Sequence, residues 1–530
     1  MMNQEKDTHN TKKRTILFLF LIFLIALSIR FIGIRFGHPL LVHPDEENVV
    51  HSAYNFSPQY DLEKITFNRP AQVQAFLTSV AMRIFSKVNF KSEIKDVFYL
   101  WQFSFYLVSR LLVAVLGAFI PIVAFFIGKE IKPSIAWLSA ILFCFLPSFV
   151  RHSHYATPDI PLTLWIMLAM LFAIKYAKGA KESTLWLAIF FCAVSTADKY
   201  PGVISLVMVA GAVLWRFLDK RKAEGKFDAK GFVGKGFLCF FIFVIALFLV
   251  APFLFIRYKE VIEALIFEGT GGHLGRDGLS YPLRVLTFLN YFLTEAGWLV
   301  TAFSVLGIVG FIRDKAKYAL FLLFSLVFLL AISVVGPHHE RWALPVYIGL
   351  LFCAAYGIDF LIQLSQRKSF VVLAKAFAVI TLLLFAIAGL SQSFWLKLQD
   401  TRVKGLYYLE KMQIAESDTY YDGYTPFAPN YFPEITKQDP ETRLQRDYAV
   451  LSSFYYERYH VLDDEHQENR FYADIRQQGE LMHTIMGEPC PYKIKDQIRL
   501  FNYWIKGRLL KQETETLFTG PDLYFYRLRP

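Results

Sequence analysis

His43-Pro44-Asp45-Glu46-Glu47 sets adjacent carboxylates directly after an apolar run, with His43 and His51 close in sequence. A carboxylate that is partly shielded from water can act as a general base on a hydroxyl. A second carboxylate beside it can raise a pKa or share a divalent ion. The same residues also read as a helix start, with Asp45 as cap and Glu46 and Glu47 complementing the positive end of the helix dipole. Both readings stand on these residues alone.

Four further clusters carry chemistry-bearing side chains. Arg151-His152-Ser153-His154-Tyr155-Ala156-Thr157-Pro158-Asp159 ends in an acid that reads as a helix cap or as a site residue. Lys199 precedes Tyr200-Pro201-Gly202, a tight turn in which the lysine is a turn residue or a phosphate ligand. The Gly-rich stretch 268–278 holds His273 and Arg276 and reads as a linker or a lid. Without a strand before it and a helix after it, it is no nucleotide-binding fingerprint. His338-His339-Glu340-Arg341 supplies phosphate donors or metal ligands, although Arg341 by itself also suits a snorkelling anchor.

The elements that hold these clusters are membrane spans. Of 530 residues, 55% are hydrophobic and only 19% charged, and the mean hydropathy is +0.36, which excludes an ordinary soluble enzyme of this size. Apolar runs long enough to cross a bilayer recur through the first three quarters of the chain. The net charge of +11 sits mainly in short loops between them, as in Lys129–Lys132, 216–235 and 313–317. It therefore reads as positive-inside charge and not as a nucleic-acid surface. Lys12, Lys13 and Arg14 precede the first run with no small-residue cleavage signal after it, so it reads as an uncleaved span. Cys144, Cys192, Cys239 and Cys353 fall within apolar runs and only Cys490 in a polar region, so no disulfide framework follows.

Counting runs predicts eleven spans, at about 15–34, 103–128, 134–150, from Pro158 to Lys175, 185–197, between Gly202 and Arg216, 236–256, 289–312, 318–335, between Trp342 and Arg367, and 370–390. With the N-terminus in the cytoplasm of an inner or plasma membrane, every basic loop falls inside. Loop 36–100 and all five clusters then fall outside. Residues 73–90, with Arg83 and Lys87 at helical spacing, suit a helix in the interface plane. Residues 1–392 thus form a multi-pass membrane domain. The polar, Tyr-rich residues 393–530 form an extracytoplasmic α/β domain, with strands at 448–451 and 523–526 and a helix at 473–486.

The ordered set resembles a known group. The acidic pair of the first outer loop is followed by Arg151, Ser153, Tyr155, Asp159 and Pro161, then by Lys-Tyr-Pro-Gly, then by Arg-Trp-Ala-Leu-Pro from Arg341. This order resembles the GT-C membrane glycosyltransferases, in the branch of protein O-mannosyltransferases and bacterial aminoarabinose transferases. The resemblance implies a polytopic α-helical GT-C fold and transfer of a sugar from a polyprenyl-phosphate carrier to a protein, glycolipid or polysaccharide acceptor. It implies Asp45 as general base for an inverting displacement, with Glu46 orienting it or sharing a metal and Asp159 in the catalytic set. Arg341, Lys199 and His338 would hold the departing phosphate, with Arg151, Tyr155 and His273 as further substrate contacts. Members differ in needing a divalent metal, for which Glu46, His338 and His339 are the candidate ligands. The rival reading is a transporter or flippase, against which stand spans nearly free of internal acids and no matching halves.

Overall fold

The structure is a computed structural model that describes residues 2–56, 71–270, 279–315, 317–335, 339–364, 366–463, 465–511 and 515–528. Among the described residues, eight helices are long and apolar enough to cross a membrane: Lys12–Phe31, Gln102–Ile131, Asp159–Ala177, Tyr200–Glu224, Ala229–Val250, Tyr281–Arg313, Glu340–Gln363 and Lys368–Leu396. The other three expected spans are helical but short or broken. The run 134–150 becomes Pro133–Phe145 and Pro147–His152. Leu146 leaves helical geometry (ψ 121°) because the following Pro147 disfavours it there and restarts the helix. The run 185–197 lies in Glu182–Asp198, and 318–335 divides into a 3-10 turn, Lys317–Leu322, and the helix Leu323–Ile332.

Burial sorts the spans into an inner and an outer set. Asp159–Ala177 and Glu340–Gln363 are 78% and 83% buried along their apolar windows, whereas Ala229–Val250 is 11% buried and carries exposed Phe237, Phe241 and Leu249. Two glycines seat Glu340–Gln363 against Tyr281–Arg313. A Cβ on Gly307 would stand 1.8 Å from the Cys353 carbonyl oxygen, and one on Gly357 would stand 2.0 Å from that of Phe303, so only glycine allows this backbone approach. The two most enclosed helices begin at Asp159 and Glu340.

The helix Asp159–Ala177 separates two polar layers by about 28 Å. Beyond its far end the loop cations pair locally: Lys178 with Glu130 at 3.0 Å, and Lys132 with Asp359 at 2.8 Å. The stretch expected to form an interfacial helix is helical, over Gln72–Phe90.

After Leu396 the chain builds β1 (Gln399–Asp400), β2 (Thr419–Tyr421), β3 (Tyr448–Ser452), β4 (Glu480–Ile485), β5 (Phe518–Thr519) and β6 (Leu523–Arg527). A four-stranded sheet runs β2-β3-β6-β4, with β2 parallel to β3 and the other neighbours antiparallel, and β1 pairs β5 in parallel. The helix expected over 473–486 is half helix and half strand. Gln467–Gln478 stops at Gly479, and Glu480–Ile485 pairs with β6. Glycine breaks the period, and the strand that follows is recruited by pairing across the sheet.

Candidate active site

Asp45 stands at the N-cap of the helix Glu46–Asn55 yet makes no side-chain capping bond. Its Oδ2 lies 2.5 Å from Arg341 Nη1. The local reading as a cap therefore fails for this carboxylate, which is committed to a partner delivered by another helix. Asp159, in the first turn of Asp159–Ala177, pairs through Oδ1 with Lys199 Nζ at 2.7 Å, while Arg341 Nε lies 3.9 Å from its Oδ2. Arg341 thus bridges two acids, and Lys199 completes a charge-balanced group of four.

Each is placed by a short irregular element at a helix end. Arg341 lies in the 3-10 turn Glu340–Ala343 that opens Leu344–Gln363. Lys199 follows Glu182–Asp198 in extended geometry, before the 3-10 turn Tyr200–Ser205. That turn folds tightly against the helix before it. A Cβ on Gly202 would meet the Ser195 carbonyl oxygen at 2.3 Å, so glycine is required.

The four charges line one cavity of about 330 Å³ together with Asn48, Tyr200, His339 and Trp342. The remainder of the wall is apolar, from Leu162, Ile204, Leu265, Phe328, Ile332 and Val335. A charged cluster in the wall of a mostly apolar cavity suits an amphiphile with an anionic head.

Glu46 takes no part in this cavity. It is fully buried, and both oxygens receive Arg110, Oε1 from Nε at 2.8 Å and Oε2 from Nη2 at 2.7 Å; Oε1 also accepts the Ala156 N–H at 2.9 Å. Arg110 further donates to the Phe36 carbonyl at 3.0 Å. The pair is a buried strut that holds the first loop against Gln102–Ile131 and the turn before Asp159. The expectation that Glu46 orients the base or shares a metal does not fit, because it lies outside the cavity lining and three of its roughly four lone-pair positions are taken by Arg110 and Ala156.

Arg151 and Tyr155 also stand outside the cavity. Arg151 is ion-paired with Glu295, donates to Gln392 Oε1 at 2.8 Å, and lies 3.3 Å from Glu340 Oε1 and from Cys490 Sγ. Tyr155 packs its ring on His43 and Phe36. Burial drives the His43 pKa down to about 3, so this imidazole is neutral and accepts the Asp45 backbone N–H at 3.3 Å. His273 and His338 lie outside the described residues. His339 lines the cavity with its ring 5.7 Å from that of Trp342. Among the described residues no three His, Cys, Asp or Glu side chains are grouped to hold a metal ion. Of the expected ligands, Glu46 is engaged by Arg110 and His338 lies outside the described residues.

Sequence reasoning passed over Arg110 and Glu295, both in spans and both buried. An ionisable residue inside an apolar run is the signal that marks them, since such a group needs a partner in a low-dielectric setting.

Comparison with known proteins fits this geometry. The sequence profile for dolichyl-phosphate-mannose-protein mannosyltransferases matches residues 54–266, which hold Arg151, Tyr155, Asp159 and Lys199 but neither Asp45 nor Arg341. An uncharacterized protein of Aquifex aeolicus (strain VF5) is 27% identical over 113 residues, which is 21% of this chain and 22% of that protein. Among solved structures, ArnT from Cupriavidus metallidurans in the apo state aligns with a TM-score of 0.51 at 14% identity, covering 85% of this chain and 95% of that one. The oligosaccharyltransferase of Archaeoglobus fulgidus, tethered to an acceptor peptide, aligns with a TM-score of 0.51 at 12% identity, covering 96% and 88%. The fold is therefore that of the GT-C membrane glycosyltransferases, with an α/β region at its C-terminal end. The resemblance drawn from the ordered motifs holds at the level of fold.

Proposed function

We propose that the protein is a membrane glycosyltransferase that moves a sugar from a polyprenyl-phosphate carrier to an acceptor hydroxyl. The observation that carries this reading is the meeting of Asp45, Asp159, Lys199 and Arg341 in the wall of a cavity that is otherwise mostly apolar. The family profile, named for a dolichyl-phosphate-linked donor, supports the same donor class.

In this mechanism the first isoprenoid units lie against Leu162, Ile204, Phe328 and Ile332, and the phosphate reaches Arg341 and Lys199. A phosphate competes with the carboxylates for those cations. Its arrival draws Arg341 from Asp45 and leaves Asp45 to accept the acceptor proton. The acceptor oxygen then forms a bond to the anomeric carbon on the face opposite the phosphate. The bond between that carbon and the phosphate oxygen breaks, and its electron pair leaves with the lipid phosphate. Charge grows on that oxygen as the bond breaks, and fixed cations stabilise it more in the transition state than in the bound donor. A single displacement inverts the anomeric centre. Asp159 keeps Lys199 and Arg341 pointed into the cavity while the phosphate is absent.

The basic loop residues at the far end of the bundle favour an N-terminus in the cytoplasm, and so a site and C-terminal domain, residues 393–530, on the extracytoplasmic face of the cell membrane. The acceptor is a protein, glycolipid or polysaccharide. The test is the purified protein in proteoliposomes with radiolabelled polyprenyl-phosphate sugars. Transfer or hydrolysis with release of the lipid phosphate supports the enzyme. Movement of intact donor across the bilayer without bond cleavage overturns it in favour of a flippase.

A further inference from the structure

The C-terminal region carries a second amphipathic element, at Ile494–Asn502. At 100° per residue its side chains fall into three sectors. Gln497 and Leu500 are buried against the rest of the protein. Ile494 and Ile498 are 58% and 55% exposed, and half-buried Phe501 lies on the same stripe. Lys495 and Arg499 occupy the third sector, exposed. Two large aliphatic side chains left on a helix that already has a buried face call for a partner beyond this region of the protein.

The surroundings of this helix identify that partner. It packs on the end of Lys368–Leu396. The Phe394 and Phe501 rings are 5.6 Å apart, Trp504 Nε1 donates to the Phe394 carbonyl at 3.2 Å, and Lys397 Nζ lies 4.8 Å from the Trp504 ring centre. Lys368–Leu396 is an outer helix whose exposed Val372, Leu373, Ile380 and Leu383 face the bilayer. From Lys368 to Phe394 its axis rises about 39 Å. A bilayer with its headgroups is about 40–45 Å thick, so Phe394 and Trp504 fall at headgroup depth. Tryptophan beside lysine is the pairing that this depth favours.

We propose that Ile494–Asn502 is a membrane-surface anchor of the C-terminal region, with Ile494, Ile498 and Phe501 entering the acyl boundary and Lys495 and Arg499 at the headgroup layer of the same leaflet. The occupant of the exposed stripe is lipid, because the helix that carries it packs against the end of a span whose own exposed side chains are apolar. Docked in this way, the α/β region is held at a fixed height over the bundle, from which Cys490 and Tyr492 reach Arg151 and Glu295. This proposal rests on the membrane fold and not on the transferase reading.

The test uses the full-length protein in phosphatidylcholine–phosphatidylglycerol nanodiscs, carrying an environment-sensitive thiol label at Ile498→Cys, at Ile494→Cys or at Lys495→Cys. Unlabelled-site background comes from the parent protein, whose own cysteines are buried or half-buried. The expected result at 498 and 494 is a blue-shifted emission, loss of most intensity to lipid carrying a nitroxide high on the acyl chain, and little loss to aqueous iodide. Lys495→Cys shows the reverse. Equal behaviour of the isoleucine and lysine positions, wet or dry, overturns the proposal. Transfer activity does not enter the readout, so its absence leaves this result intact.

Discussion

Arg341 Nη1 lies 2.5 Å from Asp45 Oδ2, joining the loop after the first span to the turn that opens Leu344–Gln363. The resting site is thus closed on itself by an ion pair. In the proposed mechanism, phosphate binding and release of the base are one event, because both act through the same guanidinium.

Asp45→Asn should lower transfer by at least about a hundredfold, the ordinary range for loss of a positioned base, with no change in melting temperature beyond a few degrees. Turnover of labelled donor in proteoliposomes, set beside a detergent melt, checks it. Near-normal rates from Asp45→Asn remove the base assignment.

Arg341→Ala should weaken donor use more than acceptor use. Loss of a charge-assisted contact to phosphate is worth about 1.5–3 kcal/mol, or roughly ten- to a hundredfold in donor KM, with Arg341→Lys falling between. Initial rates against each substrate in turn measure the split. Equal effects on both substrates argue against phosphate binding at Arg341.

Glu46 and Arg110 predict a different phenotype. Removing one partner of a buried ion pair leaves the other charge stranded at a cost of about 3–5 kcal/mol. Glu46→Gln and Arg110→Met should each drop the melting temperature sharply, and the double variant should recover part of the loss. Catalysis by Glu46 would instead appear as a normal melt with lost turnover.

The spans and the order of the charged clusters were legible because both rest on local pattern: apolar length, loop cations, and turns marked by proline and glycine. Asp45, Asp159, Lys199 and Arg341 were legible as candidates for the same reason, each being an ionisable group at a helix end. The partner of each group was not. Glu46 looks as free as Asp45 in sequence, and only the packing of Gln102–Ile131 brings Arg110 onto it. Arg151 likewise reads as a phosphate ligand until tertiary structure sets Glu295 and Gln392 against it. The strand Glu480–Ile485 was hidden because its pairing with β6 outweighs the helical pattern that its side chains share with the preceding helix.

Acid should loosen this protein through its buried histidines. Burial lowers the pKa of His43 to about 3 and that of His154 to about 4, against an ordinary value near 6.5. The unfolded chain therefore binds more protons than the folded one between those limits, and stability rises with pH across the interval. The contribution is fully present above about pH 6.5 and is lost progressively as pH falls toward 4 and then 3. The two ring nitrogens of His154 lie 2.8 and 2.7 Å from the carbonyl oxygens of Val150 and Ile32, and a neutral ring donates to one of them, so its replacement would also break structure. His43 makes the cleaner probe. His43→Asn should lower the melting temperature at pH 7.5 and flatten its decline between pH 7 and 4.5 relative to the parent. Melting curves in a single detergent across that range test it, and parallel curves for the two proteins would remove His43 from the acid response.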